Sequence, residues 1–164
     1  IRDRDVTGVQ TCALPILMGR KTFEVMASYW PASTNPFAAA MNEIPKAVFT
    51  KEGYHPKTKD FADNTKLPAN SSWMNARVFN AGLIEGIQEL KAESGKPILA
   101  HGGAEFMRSL IETGLIDEYH LITHPIALGT GLPIFDALSK PCELKLMHAQ
   151  VFPGGVVAHT YCPA

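Results

Sequence analysis

Two short segments of the sequence join glycine to side chains that can bind a phosphate. In the first, LMGRKT, apolar residues lead through Gly19 into a predicted helix. The free N–H groups at the start of a helix carry partial positive charge and suit an anion. Arg20, Lys21 and Thr22 add side-chain donors for a phosphate. Taken alone, the segment is also typical of a helix whose first-turn residues are simply solvated.

The second segment, HGGAE at residues 101–105, follows the apolar stretch PILA and precedes another predicted helix. Its two glycines, Gly102 and Gly103, let the backbone pass close to a ligand such as a pyrophosphate. A tight structural turn would use the same residues, and the G-x-G-x-x-G pattern of a Rossmann turn is absent. Two such junctions in one small domain favour a dinucleotide, because that ligand needs two phosphate-binding places.

The sequence gives little support for metal or nucleophilic chemistry. His120 and His124 have the helical spacing of two zinc ligands, but their surroundings are strand-like, which separates them by about 13 Å. No G-x-S-x-G motif marks a serine hydrolase. Cys12, Cys142 and Cys162 have neither metal-ligand nor redox spacing. We therefore expect no bound metal and no covalent nucleophile.

Composition narrows the class of protein further. The chain has 164 residues, 46% of them hydrophobic, and a formal net charge of −1. The low charge and the lack of a polybasic run argue against a dedicated nucleic-acid binder and a membrane-surface protein. No apolar stretch reaches the roughly 20 residues of a transmembrane helix. Three cysteines without a pairing pattern indicate a reducing compartment, so we expect a cytoplasmic domain.

Hydrophobic periodicity predicts strand–helix units followed by antiparallel strands, and therefore an α/β fold. The predicted helices run from Thr22 to Pro31, over Pro36–Asn42, from an Asn80 cap to Gly95, and from the glycine pair to Gly114. The predicted strands are Lys46–Thr50, Ala76–Phe79, Pro97–Ala100, Glu118–Pro125, Glu143–Phe152 and Val156–Tyr161. Pro153-Gly154-Gly155 is predicted to join the last two as a hairpin. The polar segment Glu52–Ser72 is predicted to be a long surface loop.

Residues 1–16 differ in character from the rest of the chain. They mix arginine with aspartate and lack the cleavage site of a signal peptide. Val6–Ile16 resembles the translated read of a common sequencing-library adapter, and Ile1–Asp3 fits its adjoining end. We therefore interpret residues 1–16 as non-native and expect the native domain, truncated at its N-terminus, to span residues 17–164.

Four motifs together resemble the dihydrofolate reductase-like superfamily. They are LMGRKTFEVMASYWP, KAVFTK, HGGAEFMRSLI and GLIDEYHLITHPIALGTGLPIF. Within the superfamily they are most similar to the C-terminal reductase domain of the bacterial riboflavin-biosynthesis deaminase-reductase. The resemblance implies a three-layer α/β fold with a mixed central sheet, flanking helices and a C-terminal antiparallel hairpin. It also implies that the first strand of the family is missing or replaced here, because the adapter-like segment stands in its place.

The resemblance further implies an NADPH-dependent reductase of a small heterocyclic molecule, such as a phosphoribosylaminouracil or dihydrofolate. Residues matching the family's cofactor site are Gly19, Arg20, Lys21 and Thr22 for the adenosine-side phosphates, Thr50 and Lys51 for the 2′-phosphate, and His101, Gly102, Gly103, Ala104 and Glu105 for the pyrophosphate. Cations beside a 2′-phosphate favour NADPH over NADH. Thr123 resembles the threonine that supports the substrate-binding carboxylate in dihydrofolate reductases.

A second hypothesis follows from the segment ahead of Gly19. In the family that region supplies part of the nicotinamide and substrate pocket, and hydride transfer needs both reactants oriented. The alternative is therefore an NADPH-binding domain without catalytic activity, or a dimerising scaffold. A homodimer is left open under either hypothesis.

Overall fold

The computed structural model of the protein describes residues 15–51, 53–56, 70–80, 82–136 and 138–164. The chain folds as two compact units that divide between Gly103 and Ala104. The first unit carries a parallel sheet and the second an antiparallel sheet. This mixture of parallel and antiparallel strands with helices confirms the predicted α/β class.

The first unit alternates strands and helices along the chain. Its elements are β1 (Ile16–Gly19), α1 (Arg20–Tyr29), a 3-10 turn (Trp30–Ala32), α2 (Ala38–Glu43), β2 (Lys46–Phe49), β3 (Arg77–Phe79), α3 (Leu83–Ala92) and β4 (Leu99–Ala100). The strands form a parallel sheet in the order β3-β2-β1-β4. β1 is therefore central, with Ile16 opposite both Lys46 and Leu99.

The core of this unit forms where α1 packs on the sheet. Phe23 and Ala27, four residues apart on α1, are fully buried, as the helical periodicity predicts. The Phe23 ring lies 5.7 Å from the Trp73 ring, between ring centroids, and 6.2 Å from the Tyr54 ring. Three aromatic side chains thus pack together in the core against α1. The helix ends at Tyr29, close to the predicted stop at Pro31.

The start of α3 corrects one prediction. Asn80 was expected to cap this helix, but α3 begins after Gly82, whose φ of 72° is the left-handed conformation that glycine adopts easily. The side chain of Asn80 instead accepts a hydrogen bond from the backbone N–H of Tyr54, at 2.9 Å. A long-range partner therefore replaces the local cap.

The second unit contains one helix and three antiparallel strands. These are α4 (Ala104–Glu112), β5 (Tyr119–Thr123), β6 (Leu144–Val151) and β7 (Val157–Pro163), with sheet order β5-β7-β6. The turn between β6 and β7 places Gly154 and Gly155 at φ values of 87° and 82°. Only glycine adopts two such consecutive angles without strain, so the predicted hairpin is confirmed.

Two predictions fall largely outside the described residues. Most of the predicted loop Glu52–Ser72 does so, and so do residues 1–14, where the expected loss of the family's first strand would be seen. Ile16, the last residue of the segment interpreted as non-native, is described, and it is 1% exposed in β1. The origin of residues 1–16 stays a prediction.

Candidate functional site

The carboxyl ends of the four parallel strands lie at one edge of the first sheet, which we call the sheet edge. It consists of the residues that follow each strand, including Arg20, Thr50, Asn80 and His101. The strand order reverses between β1, which leads through α1 to β2, and β4, which the chain reaches last. Open α/β sheets bind ligands at such a switch point.

The two predicted phosphate junctions meet at this switch point. The backbone N–H of Gly103 donates to Thr22 Oγ1 at 2.7 Å, and the N–H of Gly19 donates to the carbonyl of Gly102 at 3.2 Å. The N–H of His101 also donates to the carbonyl of Leu17 at 2.9 Å. Residues more than 80 positions apart in sequence are thereby fixed against each other.

The glycine pair has two separate structural requirements. Gly102 has a φ of 93°, and no atom of the described residues lies within 4 Å of the place where its Cβ would stand. A Cβ on Gly103 would lie 2.9 Å from Thr22 Oγ1, closer than side chains normally approach. The first glycine leaves an open backbone surface, and the second permits the contact with Thr22.

The start of α1 is arranged to attract an anion. In the described part of the chain no side chain caps this helix, and its first turn holds no acidic residue but contains Arg20 and Lys21. Arg20 forms a 3.6 Å ion pair with Glu24, one turn further along, and its guanidinium lies 5.9 Å from the centroid of the Tyr54 ring. The free N–H groups at the start of α1 and the two basic side chains therefore both favour an anion at this position.

The remaining predicted site residues fall into three places. Thr50 follows β2, where its N–H donates to the carbonyl of Phe79 at 3.0 Å, and Lys51 is exposed beside it. Ala104 and Glu105 are the first two residues of α4. Thr123 ends β5 in the second unit, paired with Val157. Thr123 is therefore outside the sheet edge, whereas Thr50 and Lys51 belong to it.

Sequence reasoning missed two residues of the sheet edge. Asn80 directly follows β3, as Thr50 follows β2, and the buried residue Tyr54 donates its backbone N–H to the Asn80 side chain. The position of Asn80 after a strand was a signal that could have placed it here. Tyr54 lies in a polar segment and carried no periodic signal.

Other chemistry has little support in this structure. Among the residues described, no group of three or more His, Cys, Asp or Glu side chains could hold a metal ion. Cys142 and Cys162 are free thiols. The pKa of Tyr119 is raised by burial, with a smaller contribution from Cys142.

A search of the same described residues for a helix long and apolar enough to cross a membrane finds none.

Fold and site together define an α/β protein with glycine junctions at the switch point of its parallel sheet. Within that class the particular family is shown by a sequence match to the RibD C-terminal domain over residues 3–158. The chain belongs to the RibD C-terminal domain family.

Two relatives from Bacillus subtilis (strain 168) are similar in sequence, and both are uncharacterized. YyaP is 33% identical over 147 residues, which cover 89% of this chain and 72% of YyaP. YwjB is 33% identical over 80 residues, which cover 49% of this chain and 46% of YwjB. The similarity to YyaP extends over most of the chain.

Two crystal structures share the fold. A protein from Shewanella sp. PV-4 whose name refers to riboflavin biosynthesis matches with a TM-score of 0.65 and 20% identity, over 98% of this chain and 84% of that one. A pyrimidine reductase-like protein from Corynebacterium diphtheriae matches with a TM-score of 0.59 and 16% identity, over 93% of this chain and 76% of that one. At these identities the match concerns the fold.

Proposed function

We propose that this protein is an NADPH-dependent reductase of a small heterocyclic substrate. The observation that carries the proposal is the pair of glycine junctions that Thr22 and Gly103 hold together at the switch point. Membership of the RibD C-terminal family supports a nicotinamide cofactor. The structural neighbours named for riboflavin biosynthesis and pyrimidine reduction support a pyrimidine as substrate, with a pterin as the next choice.

The residues of the sheet edge fit a dinucleotide phosphate. The open backbone at Gly102 leaves room for a pyrophosphate, which a side chain at that position would displace. The start of α1 supplies N–H groups, and Arg20 and Lys21 supply positive charge. We assign these groups to the phosphates and His101, Gly103, Ala104 and Glu105 to the turn that supports them.

The cations of the sheet edge favour NADPH over NADH. Lys51 is exposed and follows β2. Arg20 is the first residue of α1 and follows β1, the strand that pairs with β2. A 2′-phosphate bound by these side chains would gain charge-assisted hydrogen bonds that a 2′-hydroxyl cannot match. We therefore assign Thr50 and Lys51 to the adenosine ribose and its phosphate.

A bound nicotinamide supplies the hydride for the reduction. The residues of the sheet edge would hold the cofactor in one position and so restrict its orientation relative to the substrate. We assign Thr123 a supporting role in the substrate pocket. A cytoplasmic location and a homodimer stay predictions within this proposal.

The test is a titration of the chain with NADPH and NADH, followed by ligand fluorescence. We expect tighter binding of NADPH, and we expect Arg20→Ala to weaken NADPH binding about tenfold and NADH binding less, because only NADPH also loses a charge-assisted hydrogen bond to the 2′-phosphate. Lys91→Ala is the matched control. Lys91 lies in the last turn of α3, which leads to the start of β4 at the opposite edge of the sheet.

The outcomes separate the reductase from the alternative. Oxidation of NADPH in the presence of a pyrimidine or pterin substrate would support the reductase. Tight binding of NADPH without turnover of either substrate class would favour the non-catalytic cofactor-binding domain. Absence of binding to both nucleotides would overturn the proposal.

A further inference from the structure

Tyr54 connects three parts of the sheet edge. Its backbone N–H donates to Asn80 Oδ1 at 2.9 Å, which attaches it to the end of β3. Its ring packs edge-on against Phe23 in the core, and the guanidinium of Arg20 lies 5.9 Å from the centroid of the ring. The Tyr54 residue is only 9% exposed. A single buried residue thus touches β3, the core and the first turn of α1.

The chain bends at Lys51, and the corner made by residues 50–51 and 53–54 is held at both ends, by Phe79 at the end of β3 and by the next residue, Asn80. Thr50 donates its N–H to the carbonyl of Phe79, and Tyr54 donates its N–H to the side chain of Asn80. Lys51 lies within this corner and is exposed. Lys51 therefore lies in sequence between two anchored residues, and the bond to Asn80 holds one of them.

Tyr54 also contacts Arg20 through its ring. A guanidinium within about 6 Å of an aromatic centroid is attracted to the ring face, and the distance to the Tyr54 ring is 5.9 Å. If Tyr54 moves, Arg20 loses the attraction of this ring. Tyr54 therefore helps to place two cations of the sheet edge, Arg20 and Lys51.

We infer that Asn80, acting through Tyr54, is a positioning residue that sets the selectivity of the sheet edge for a 2′-phosphorylated nucleotide. This inference rests on the proposed function, because it concerns the same cofactor. Asn80 acts by holding the corner that carries Lys51 and the ring that faces Arg20. Its removal lowers the preference for NADPH over NADH and leaves the binding of the rest of the nucleotide in place.

The experiment compares the ratio of the NADH and NADPH dissociation constants in wild type and Asn80→Ala. Loss of one hydrogen bond that fixes the corner is expected to lower this ratio about fivefold. Asn75→Ala is the matched control, since Asn75 is an exposed asparagine whose side chain bonds the backbone of Ser71 before β3. We expect the control to keep the wild-type ratio.

A second background shows whether Asn80 acts through the cations. In an Arg20→Ala/Lys51→Ala protein, N80A is expected to leave the ratio unchanged, because the groups it positions are gone. An equal loss in that background would overturn the inference, and so would an unchanged ratio in N80A alone. Loss of the circular dichroism spectrum in N80A would overturn it too, because the bond would then serve the fold. Failure of wild type to bind NADPH would instead contradict the proposed function.

Discussion

The ammonium of Lys46 lies 4.4 Å from the centroid of the Trp73 ring, inside the core of the first unit. It donates to the carbonyls of Met41 and Ile44 and to Ser72 Oγ. The two carbonyls belong to the end of α2, where backbone acceptors have no partner within the helix. Lys46 therefore closes the end of α2 from the adjoining strand, although it is 1% exposed.

The buried position of Lys46 predicts a pH-dependent stability. Burial lowers the pKa of this amine from 10.5 to about 7. Between these two values the unfolded chain holds more protons than the folded one, so the free energy of unfolding rises as the pH rises. We expect an increase on the order of a few kcal/mol between pH 7 and pH 10, measured by urea unfolding.

Lys46→Met tests the assignment, because methionine fills a similar volume and does not titrate. This variant is expected to lose most of the rise in stability above pH 7. Lys91→Met, in the exposed last turn of α3, serves as the control and should retain the rise. A rise of equal size in Lys46→Met would show that another group causes the pH dependence.

Gly86 in α3 faces the stacked rings of Phe49 and Phe79, whose centroids are 4.7 Å apart. A Cβ at Gly86 would lie 2.7 Å from Phe79 Cδ1 and 2.8 Å from Phe49 Cε1. Alanine favours a helix over glycine by about 1 kcal/mol, but overpacking of a core costs about 1–3 kcal/mol. We expect Gly86→Ala to destabilise the protein by about 1 kcal/mol in urea unfolding.

A second substitution shows whether the rings cause this loss. In a Phe79→Leu background the space beside Gly86 is larger, so Gly86→Ala is expected to cost less there than in wild type. Gly131→Ala is the control, because no described atom lies within 4 Å of its Cβ position. Equal losses with and without Phe79 would contradict the steric explanation.

Arg77 links β3 to α3 through two carboxylates. Its guanidinium lies 2.6 Å from Glu93 Oε1 and 2.7 Å from Glu89 Oε1, and the pKa of Arg77 is raised, mainly by the hydrogen bond with Glu93. All three side chains are partly exposed, so solvent screens the pairs. We expect Arg77→Ala to cost about 1 kcal/mol, and less in high salt.

Glu93→Gln and Glu89→Gln separate the two carboxylates. The first is expected to cost more stability than the second, because Glu93 is the less exposed of the two carboxylates and its bond to Arg77 is less screened by solvent. Urea unfolding at low and high sodium chloride gives both comparisons. A larger cost for Glu89→Gln, or a cost that grows with salt, would contradict this ranking.

Local patterns in the sequence were sufficient to predict most elements of the fold. The buried pair Phe23 and Ala27 shows why: helical spacing marks the face that packs on the sheet. Glycine chemistry likewise located the hairpin at Gly154 and Gly155. The cap at Asn80 was wrong because the side chain found a partner 26 positions away. Helix-capping propensity depends on a residue's neighbours in sequence, so it cannot predict a partner that is distant in sequence.

The candidate site, like the fold, could be predicted from the sequence only in part. The junctions at Gly19 and Gly102 were predicted from composition and position, and the parallel order of the strands brings them together. Lys46 was predicted only as the first residue of a strand, since nothing in KAVFT indicates that Trp73 and Ser72 would enclose its amine. Tyr54 was missed for the same reason. Both depend on contacts over more than 20 residues of sequence.

The bond between Thr22 and Gly103 yields the last prediction, which links the fold to cofactor binding. Thr22→Val keeps the shape of the side chain but removes the Oγ1 acceptor, so the partly buried N–H of Gly103 loses its partner. Such a loss costs about 1–3 kcal/mol, and we expect the protein to lose stability in this range and to bind NADPH at least about tenfold more weakly. Thr22→Ser keeps the acceptor and should behave like wild type in both urea unfolding and fluorescence titration. Wild-type affinity in Thr22→Val would show that the two junctions bind the nucleotide independently of this bond.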